Sequence, residues 1–439
     1  MRIFSQKRYA SHYFLLYLFV YNDILYRFNA IYLTTPSPRM KTKIGIGHSN
    51  QTDSFLAGKE AASRAVEHGN IDRADFALIF CGGKHNPKQF LNGVNQVIPD
   101  CEKAGGTSFG VISDTFIGYD GFEVGVTVFS SDKVKFAVFS QGGLNVDEAK
   151  AGEELGKKIQ QADIPDPRGL MVFYDSSKQQ NPPMLNFATP LFASLEPYLP
   201  SGISCVGGGF LADMMLSECY QIVNDHVYTQ NVIAILISGE CVMESTILHG
   251  CFPCSDYLTV TKSEGPMVME IDGMPAIQKI QELLGGPEVI DVKDFAMNVT
   301  LGVNRGEKYG EFKENEFANR LTLAVDEEHN ALIMFEPDLV IGTEVQLMRR
   351  NLEPDYVGKA IQEEMKKIAN LNPIFSFYIN CGGRARPFAG VDFEDGEQVR
   401  QALGSIPLSG FYSGVEVAQV GGVLQPLDWT GVLCFLAEK

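Results

Sequence analysis

Two stretches of the sequence decide the fold: residues 76–87 read FALIFCGGKHNP and residues 374–387 read IFSFYINCGGRARP. Each stretch begins with a mainly apolar run, and the run at 76–80 is entirely apolar, which is typical of a strand buried on both faces of a sheet. Each run is followed by Cys-Gly-Gly, a basic residue, two further residues and a proline. Because this seven-residue pattern recurs in the same strand-to-loop context, we predict an internal duplication.

The agreement continues downstream of both stretches. A helical pattern leads to a glycine-rich turn, GGTSFG at 105–110 and GFYSG at 410–414, and then to an apolar strand. A weaker middle copy has apolar runs at 170–174 and 232–238, which flank VGGGF at 206–210. The sequence therefore predicts repeated units of strand, glycine turn and helix.

The whole chain alternates strand and helix patterns, and hairpin patterns prevail from about Gly250 onward. This order predicts an α/β fold with mixed sheets, flanking helices and a C-terminal half richer in hairpins. We place a domain boundary near residues 239–250, which divides residues 40–245 from residues 246–439. The predicted hairpins pair 124–129 with 134–139, 258–262 with 268–271, and 320–325 with 332–335. The other predicted strands lie at 44–46, 76–80, 170–174, 232–238, 374–379 and 432–436, and the predicted helices near 53–67, 88–98, 146–161, 191–199, 275–284, 357–369 and 396–403.

The composition excludes several classes of protein. The chain has 439 residues, of which 45% are hydrophobic and 21% charged, so it can bury enough apolar surface to fold. With 36 basic and 54 acidic side chains, the net charge of −18 repels nucleic acid and anionic membranes. Nine cysteines, an odd number, indicate a reducing compartment, so we predict a cytoplasmic protein. After Met40, no segment approaches the ~20 uninterrupted apolar residues of a membrane span.

Residues 1–39 do not resemble the rest of the chain. They carry five basic residues and one acidic residue, and residues 13–21 read YFLLYLFVY. Three interpretations stay open: translation begins at Met40, the segment is a signal peptide or membrane anchor, or it forms a peripheral helix. We treat this extension as separate from the domains that follow it.

The two Cys-Gly-Gly turns, at residues 81–84 and 381–384, are the candidate ligand sites, and we call them the first and second glycine turns. Open α/β sheets bind ligands at the carboxyl ends of their strands, which is where these turns lie. Glycines let backbone N–H groups approach an anion, and a neighbouring Lys or Arg adds charge for a carboxylate or phosphate. An acidic or phenolic group nearby would suit the ammonium group of an amino acid. The alternative is a tight turn with a solvated basic side chain. The candidate ligand-binding residues are Gly82, Gly83, Lys84, Cys381, Gly382, Gly383, Arg384, Tyr412 and Glu416.

Other chemistries find less support in the sequence. Neither glycine turn has the spacing of a nucleotide-binding loop, so we predict no nucleotide cofactor. The HGCFPC stretch at 249–254 has one Cys pair and lacks the second pair of a structural zinc site, so we predict no metal. Cys81 and Cys381 stand at strand ends where a nucleophile could act, which leaves a thiol-dependent enzyme as an alternative. We predict no catalytic residue.

Taken together, the motifs resemble the FIST sensory proteins over residues 43–436. The resemblance implies a sensor of small ligands, with amino acids as proposed ligands, and no enzyme activity or established binding residue. One departure concerns Glu416, which follows Gly414 after an inserted Val415 where the family has Gly-Glu. The matching motifs are DFALIF at 75–80, GGTS at 105–108, GVI at 110–112, GFEVGV at 121–126, GC at 250–251, VT at 260–261, GMPA at 273–276, GTEVQLMR at 342–349, CGGR at 381–384 and PLSGFY at 407–412.

The sequence thus predicts a stand-alone cytoplasmic sensor of an amino acid or other small carboxylate. Since the chain ends three residues after its last predicted strand, we expect the signal to pass to a separate partner protein. The alternative is a thiol-dependent enzyme that acts on a small acyl or amide substrate. A third reading is a binding scaffold without a small ligand.

Overall fold

The structure is a computed structural model that describes residues 42–286 and 291–439. The three interpretations of residues 1–39 lie outside the described residues. From Thr42 onward the chain forms one compact unit. No helix within the described ranges is long and apolar enough to cross a bilayer.

The described chain contains three copies of one pattern: strand, helix, strand, helix, strand, two-stranded hairpin and closing strand. The first copy comprises β1 (Thr42–Ser49), α1 (Ser54–Gly69), β2 (Phe76–Gly82), α2 (Pro87–Asn95), β3 (Glu102–Ser108), β4 (Gly110–Ser113), β5 (Ile117–Gly118) and β6 (Val124–Ser131). The second copy comprises β7 (Val134–Gly142), α3 (Glu148–Ala162), β8 (Pro167–Asp175), β9 (Ser177–Gln180), β10 (Pro183–Leu185), α4 (Ala188–Leu195), β11 (Ser204–Phe210), β12 (Gln221–Val223), β13 (His226–Tyr228) and β14 (Asn231–Gly239).

The third copy carries a long insertion after its first strand. Its own elements are β15 (Cys241–Leu248), α6 (Tyr356–Lys367), β24 (Pro373–Cys381), α7 (Arg386–Ala389), α8 (Asp395–Leu403), β25 (Leu408–Ser413), β26 (Glu416–Val420), β27 (Val423–Leu427) and β28 (Gly431–Glu438). The insertion forms a separate antiparallel sheet with one helix. Its elements are β16 (Cys251–Pro253), β17 (Leu258–Glu264), β18 (Met267–Ile271), β19 (Met274–Pro275), α5 (Ala276–Leu283), β20 (Thr300–Asn304), β21 (Phe317–Asp326), β22 (Ala331–Met334) and β23 (Glu344–Arg350).

Each copy builds a six-stranded sheet, and the three sheets exchange their hairpins in a cycle. The strand orders are β1-β6-β2-β3-β12-β13, β7-β14-β8-β11-β26-β27 and β15-β28-β24-β25-β4-β5. The two central strands of each sheet are parallel, and their other neighbours are antiparallel. The hairpin of the first copy therefore completes the third sheet, that of the second completes the first, and that of the third completes the second. The predicted α/β class with mixed sheets is confirmed.

The strand registers show that the copies correspond residue by residue. Each central parallel pair joins a large residue to a glycine: Ile79 with Gly105, Val172 with Gly207, and Tyr378 with Gly410. A Cβ atom added to these glycines would lie 1.8, 1.9 and 2.0 Å from the partner's carbonyl oxygen, so no other residue fits without movement of the backbone. Since Ile79 and Tyr378 are equivalent in these registers, Gly82 of the first copy is structurally equivalent to Cys381 of the third copy. The sequence match of residues 81–87 with 381–387 is thus displaced by one position from the structural equivalence.

The three sheets meet around phenylalanines from all three copies. Phe80, Phe173 and Phe377 come from the central strands β2, β8 and β24, and their ring centroids lie 5.8–6.0 Å apart. Phe411 from β25 stacks on Phe80 at 4.7 Å. Burial of so many aromatic rings at one junction makes the three copies one core.

Most of the predicted elements are present, with one hairpin paired differently. Asp53 caps α1 by accepting the N–H of Leu56 at 2.8 Å, as its position in the sequence predicts. The hairpins β17–β18 and β21–β22 form as predicted. The predicted hairpin of 124–129 with 134–139 is wrong, because β6 pairs with β1 and β2 whereas β7 pairs with β14. The short link between them joins two sheets.

The division of the chain at residues 245 and 246 stays a prediction. The second copy ends at Gly239 and the third begins at Cys241, but hairpins from each side of this point complete sheets on the other.

Candidate functional site

A cavity of about 120 Å³, which we call cavity A, lies where β8, β24 and β25 end. The carboxyl ends of parallel strands are the usual location of ligand sites in α/β sheets. One wall comes from these strand ends, and another comes from β21 and the neighbouring parts of the insertion. The residues that line cavity A are Ser176, Leu185, Leu211, Met214, Leu216, Met297, Leu321, Leu323, Phe335, Cys381, Gly382, Gly383, Ser413, Gly414, Asp428 and Trp429.

Asp428 is the one ionisable carboxyl group among the residues that line cavity A. Its side chain is buried, and its Oδ2 accepts the backbone N–H of Leu321 at 3.0 Å. Its Oδ1 has no hydrogen-bond partner among the described residues. Burial raises the pKa of Asp428 to about 7, against a weaker opposing effect of Arg320. Near neutral pH this carboxyl can therefore meet a ligand group as an acid or as an acceptor.

The two hydroxyl groups of cavity A are already engaged with the protein. The Ser176 hydroxyl donates to the carbonyl of Phe210. Ser413 Oγ lies 2.6 Å from Glu416 Oε1 and 3.1 Å from the carbonyl oxygen of Asn380. The Ser413 hydroxyl is therefore already hydrogen-bonded to the Glu416 carboxyl group, whose pKa burial raises well above its ordinary value. Asp428 is thus the polar side chain of the lining that keeps an unpaired atom, its buried Oδ1.

The turn after β24 lies at cavity A, as its position at a strand end predicts. Cys381, Gly382 and Gly383 all line it. Burial raises the pKa of the Cys381 thiol far above its ordinary value, and it raises the pKa of Cys81 to about 12. Because the thiolate is the nucleophilic form, neither cysteine is activated at neutral pH. The thiol-dependent enzyme gains no support from this geometry.

Arg384, the next residue in the chain, binds other groups of the protein and does not line cavity A. Its Nε and Nη2 atoms lie 2.9 and 2.7 Å from Oδ2 of Asp395. Its Nη1 donates to the carbonyls of His249 at 2.9 Å and Trp429 at 3.1 Å. A guanidinium engaged on all these sides cannot also bind the ligand carboxylate or phosphate that we expected at this turn.

The first glycine turn lies apart from cavity A. Lys84 is exposed, and its Nζ stands 5.0 Å from the ring centroid of Phe122. Neither Lys84 nor the preceding Gly82 and Gly83 line cavity A. The structure does not bring Lys84 and Arg384 into one site, so the predicted pair of cationic turns does not form a shared carboxylate pocket.

Tyr412 and Glu416 are also internal. The Tyr412 hydroxyl donates to a carboxylate oxygen of Glu394. Glu416 is fully buried, and its Oε2 accepts the N–H of Thr430 at 3.1 Å. Neither residue lines cavity A. The phenol of Tyr412 and the carboxyl group of Glu416 each form hydrogen bonds within the third copy, so they do not face the ammonium group of a ligand in cavity A.

A smaller cavity, which we call cavity B, is also lined by Trp429. Its volume is about 40 Å³. Trp429 lines both cavities, and its backbone adopts the left-handed conformation, with φ of 55°. The residues that line cavity B are His249, Gly250, Arg350, Asn351, Leu352, Glu353, Tyr356, Arg384, Ala389, Val391, Phe393, Asp395 and Trp429.

Arg350 is the second arginine of cavity B, and it differs from Arg384 in its partners. Its guanidinium carbon lies 3.4 Å from the ring centroid of Trp429, and its Nη2 donates to the carbonyl of Met297. Its buried Nε has no partner among the described residues. Burial lowers its pKa to about 10, against weaker opposing effects of Cys251 and Cys381. A cation–π contact contributes roughly 0.5–2 kcal/mol, whereas an unpaired buried charge costs several kcal/mol, so the contact alone does not offset burial.

The HGCFPC stretch forms no metal centre in the part of the chain that the structure describes. There His249 accepts the N–H of Cys251 at Nδ1 and donates from Nε2 to the carbonyl of Glu314, at 2.9 and 3.0 Å. Burial lowers the pKa of this histidine, so it is neutral with both ring nitrogens engaged. No group of three or more His, Cys, Asp or Glu side chains suited to a metal ion occurs in the described ranges.

Sequence reasoning missed Asp428, Trp429, Arg350 and the apolar residues of the insertion. A weak signal existed: Asp428 interrupts an apolar segment, and Trp429 is the one tryptophan of the chain. Arg350 could not be singled out, because only the tertiary structure distinguishes it from the adjacent Arg349.

Comparison with protein families gives two matches. A model of the FIST N domain matches residues 75–274, and a model of the FIST C domain matches residues 276–419. An uncharacterized protein of Mycobacterium tuberculosis is 24% identical over 234 residues, which is 53% of this chain and 60% of that protein. An uncharacterized protein of Methanocaldococcus jannaschii is 24% identical over 331 residues, 72% of this chain and 61% of that protein. The chain thus spans about 60% of the length of these curated relatives.

Comparison with solved structures finds cyanuric acid hydrolases at low similarity. One such enzyme has a TM-score of 0.28 and 9% identity, with 91% of this chain and 100% of that chain covered. The cyanuric acid hydrolase from A. caulinodans has a TM-score of 0.27 and 8% identity, with 45% of this chain and 71% of that chain covered. Scores at this level support no conclusion about function.

Proposed function

The chain belongs to the FIST family, whose domains are sensory domains for small ligands, and on this premise we propose that its ligand binds in cavity A. The observation that carries the proposal is that Asp428, a buried carboxyl group with an unpaired Oδ1, is among the residues that line a mainly apolar cavity. A buried polar atom without a partner is costly in a native protein, so a bound molecule that satisfies it gains affinity and specificity.

The proposed ligand is small and mainly apolar, with one group that donates a hydrogen bond. Leucine, methionine, phenylalanine and tryptophan side chains form most of the wall, which favours a hydrocarbon body. A cavity of roughly 150 Å³ accepts benzene, so the 120 Å³ of cavity A suits a body of that size or slightly smaller. An amine or amide nitrogen would donate to Asp428. An apolar amino acid or a related amine has both features.

A free carboxylate is the less suitable part of an amino acid ligand. No lysine or arginine is among the residues that line cavity A. The basic turns suggest a carboxylate ligand in the sequence. For cavity A we instead propose an amine, an amide, or an amino acid bound chiefly through its nitrogen. We further propose that the occupied protein signals to a separate partner protein in the cytoplasm.

The test is a thermal-shift screen with paired compounds: small apolar amines, the corresponding carboxylic acids and the amino acids that combine both groups. A compound that binds only the folded state raises Tm. We expect the amines and amino acids to stabilise the protein, and the acids alone to have no effect. Stabilisation by acids alone would contradict the proposed chemistry.

Two substitutions locate the effect. Asp428→Asn keeps the shape of the side chain and removes the charge-assisted bond, which should weaken amine binding roughly tenfold. Asp175→Asn is the matched control, because Asp175 is also a buried aspartate but lies outside cavity A and has both oxygens paired. Leu323→Phe should fill cavity A and abolish binding. Equal losses in the variants of Asp428 and Asp175 would place the ligand elsewhere.

A further inference from the structure

Cavity B holds a guanidinium group that lacks a counter-charge. None of the ion pairs among residues 42–286 and 291–439 includes Arg350. Its guanidinium donates to the carbonyl of Met297 and lies over the indole of Trp429. Its Nε is buried without a partner, although the residue lines an open cavity.

The other charged groups of cavity B do not balance Arg350. Arg384 and Asp395 form an ion pair with each other, with Nη2 and Oδ2 2.7 Å apart. His249 is neutral for the reasons given above, and the Tyr356 hydroxyl donates to the carboxylate of Glu314. Glu353 is exposed, so water screens its charge, and it forms no ion pair with Arg350 in the described ranges.

We propose that cavity B is a binding site for a small monovalent anion, which is held by Arg350 beside the Trp429 indole. The volume of about 40 Å³ is that of roughly three water sites, so chloride or formate fits and a larger metabolite does not. A planar guanidinium offers adjacent N–H groups to such an anion. The site is separate from cavity A, and the proposal stands whether or not cavity A binds a ligand.

Trp429 makes the proposed site observable and connects it to cavity A. It is the one tryptophan of the chain, so intrinsic tryptophan fluorescence reports on this position alone. One face of its indole contacts the Arg350 guanidinium, and the ring also lines cavity A. An anion at Arg350 changes the charge next to the indole, and the emission should change with it.

The experiment titrates the full chain with sodium chloride or sodium formate against sodium gluconate at constant ionic strength. We expect a saturable change in Trp429 emission and a rise in Tm of roughly 2 °C at saturation. Gluconate, which is too large for cavity B, serves as the reference anion. If emission and Tm depend only on total ionic strength, the proposal fails.

Adjacent arginines provide the matched variants. Arg350→Gln should abolish the saturable response, whereas Arg349→Gln should keep it, because Arg349 is exposed and lies over the ring of Phe252. If Arg350→Gln does not fold, Arg350→Lys replaces it. That variant keeps the charge and loses the planar donor edge, so it should bind the anion at least tenfold more weakly. An unchanged response in the Arg350 variant, or an equal loss in Arg349→Gln, overturns the assignment.

Discussion

Arg384 and Asp395 form an ion pair that is almost closed to solvent, with Nη2 2.7 Å from Oδ2 and side chains only 6% and 7% exposed. The pair joins the turn after β24 to the start of α8. The same guanidinium reaches the carbonyl of His249, which stands at the beginning of the insertion. Arg384 therefore connects the turn after β24, the start of α8 and the beginning of the insertion.

Truncation of Arg384 should destabilise the protein far more than truncation of Lys84, the corresponding basic residue of the first glycine turn. Arg384→Ala leaves Asp395 buried without its partner, and we expect a loss of about 3–5 kcal/mol in the free energy of unfolding. Lys84→Ala removes an exposed side chain and should change stability by no more than about 0.5 kcal/mol. Urea denaturation of both variants measures the difference. Similar values for the two would contradict the structural role of Arg384.

Asp428 should make stability depend on pH in a definite direction. Its folded-state pKa of about 7 lies above the ordinary value of 3.8, so the folded protein holds the proton more tightly than the unfolded chain. This contribution is complete below pH 4, decreases as the pH rises towards 7, and is lost above that. Asp428→Asn should therefore reduce the fall in Tm between pH 5 and pH 8.

Asp120→Asn is a suitable control for that measurement, since Asp120 is exposed. It should leave the pH profile of Tm as in the unaltered protein. If Asp428→Asn has the same profile as this control, Asp428 does not titrate as its burial requires.

The paired glycines of the three sheets should tolerate no side chain. Gly410→Ala would place a Cβ 2.0 Å from the carbonyl oxygen of Tyr378, so the two strands must separate. We expect a destabilisation of about 3 kcal/mol or a failure to fold. Gly142→Ala is the control, because nothing lies within 4 Å of its added Cβ. Equilibrium unfolding compares them, and a mild effect at Gly410 would disprove the close approach.

Thiol labelling should single out one cysteine. Cys254 is the exposed member of the nine free cysteines, whereas Cys81 and Cys381 are buried with raised pKa values. A maleimide at neutral pH should modify Cys254 first, and Cys254→Ser should remove the rapid phase. Selective reaction at Cys381 in the folded protein would instead revive the thiol-dependent enzyme. Mass spectrometry of the labelled peptides decides between these results.

Much of the fold follows from the sequence because its central strands are long apolar runs bounded by glycine and proline. The three copies, the helix cap at Asp53 and the hairpin-rich insertion all carry local signals of this kind. The exchanged hairpins do not. Their strands are two to five residues long, and their partners lie in other copies, so no local pattern indicates where they pair.

The residues of the candidate site are harder to predict from the sequence than the fold. A basic residue after a glycine turn looks available to a ligand, yet Asp395, eleven positions further on, neutralises Arg384 in the folded chain. Of the two arginines that line cavity B, the one without an ion pair is Arg350, which stands at the end of β23 in the inserted sheet. Sequence reasoning can find charges and turns, but the pairing of charges depends on contacts between distant segments.

The exchange of hairpins also governs how the nascent chain can mature. The strand pair β4–β5 leaves the ribosome early but pairs with β25, and Thr127 donates to Ser409 across 282 positions of sequence. The first sheet also lacks β12–β13 until the second copy emerges, and the second sheet lacks β26–β27 until the third copy emerges. Their unpaired edges are a hazard for aggregation while synthesis continues.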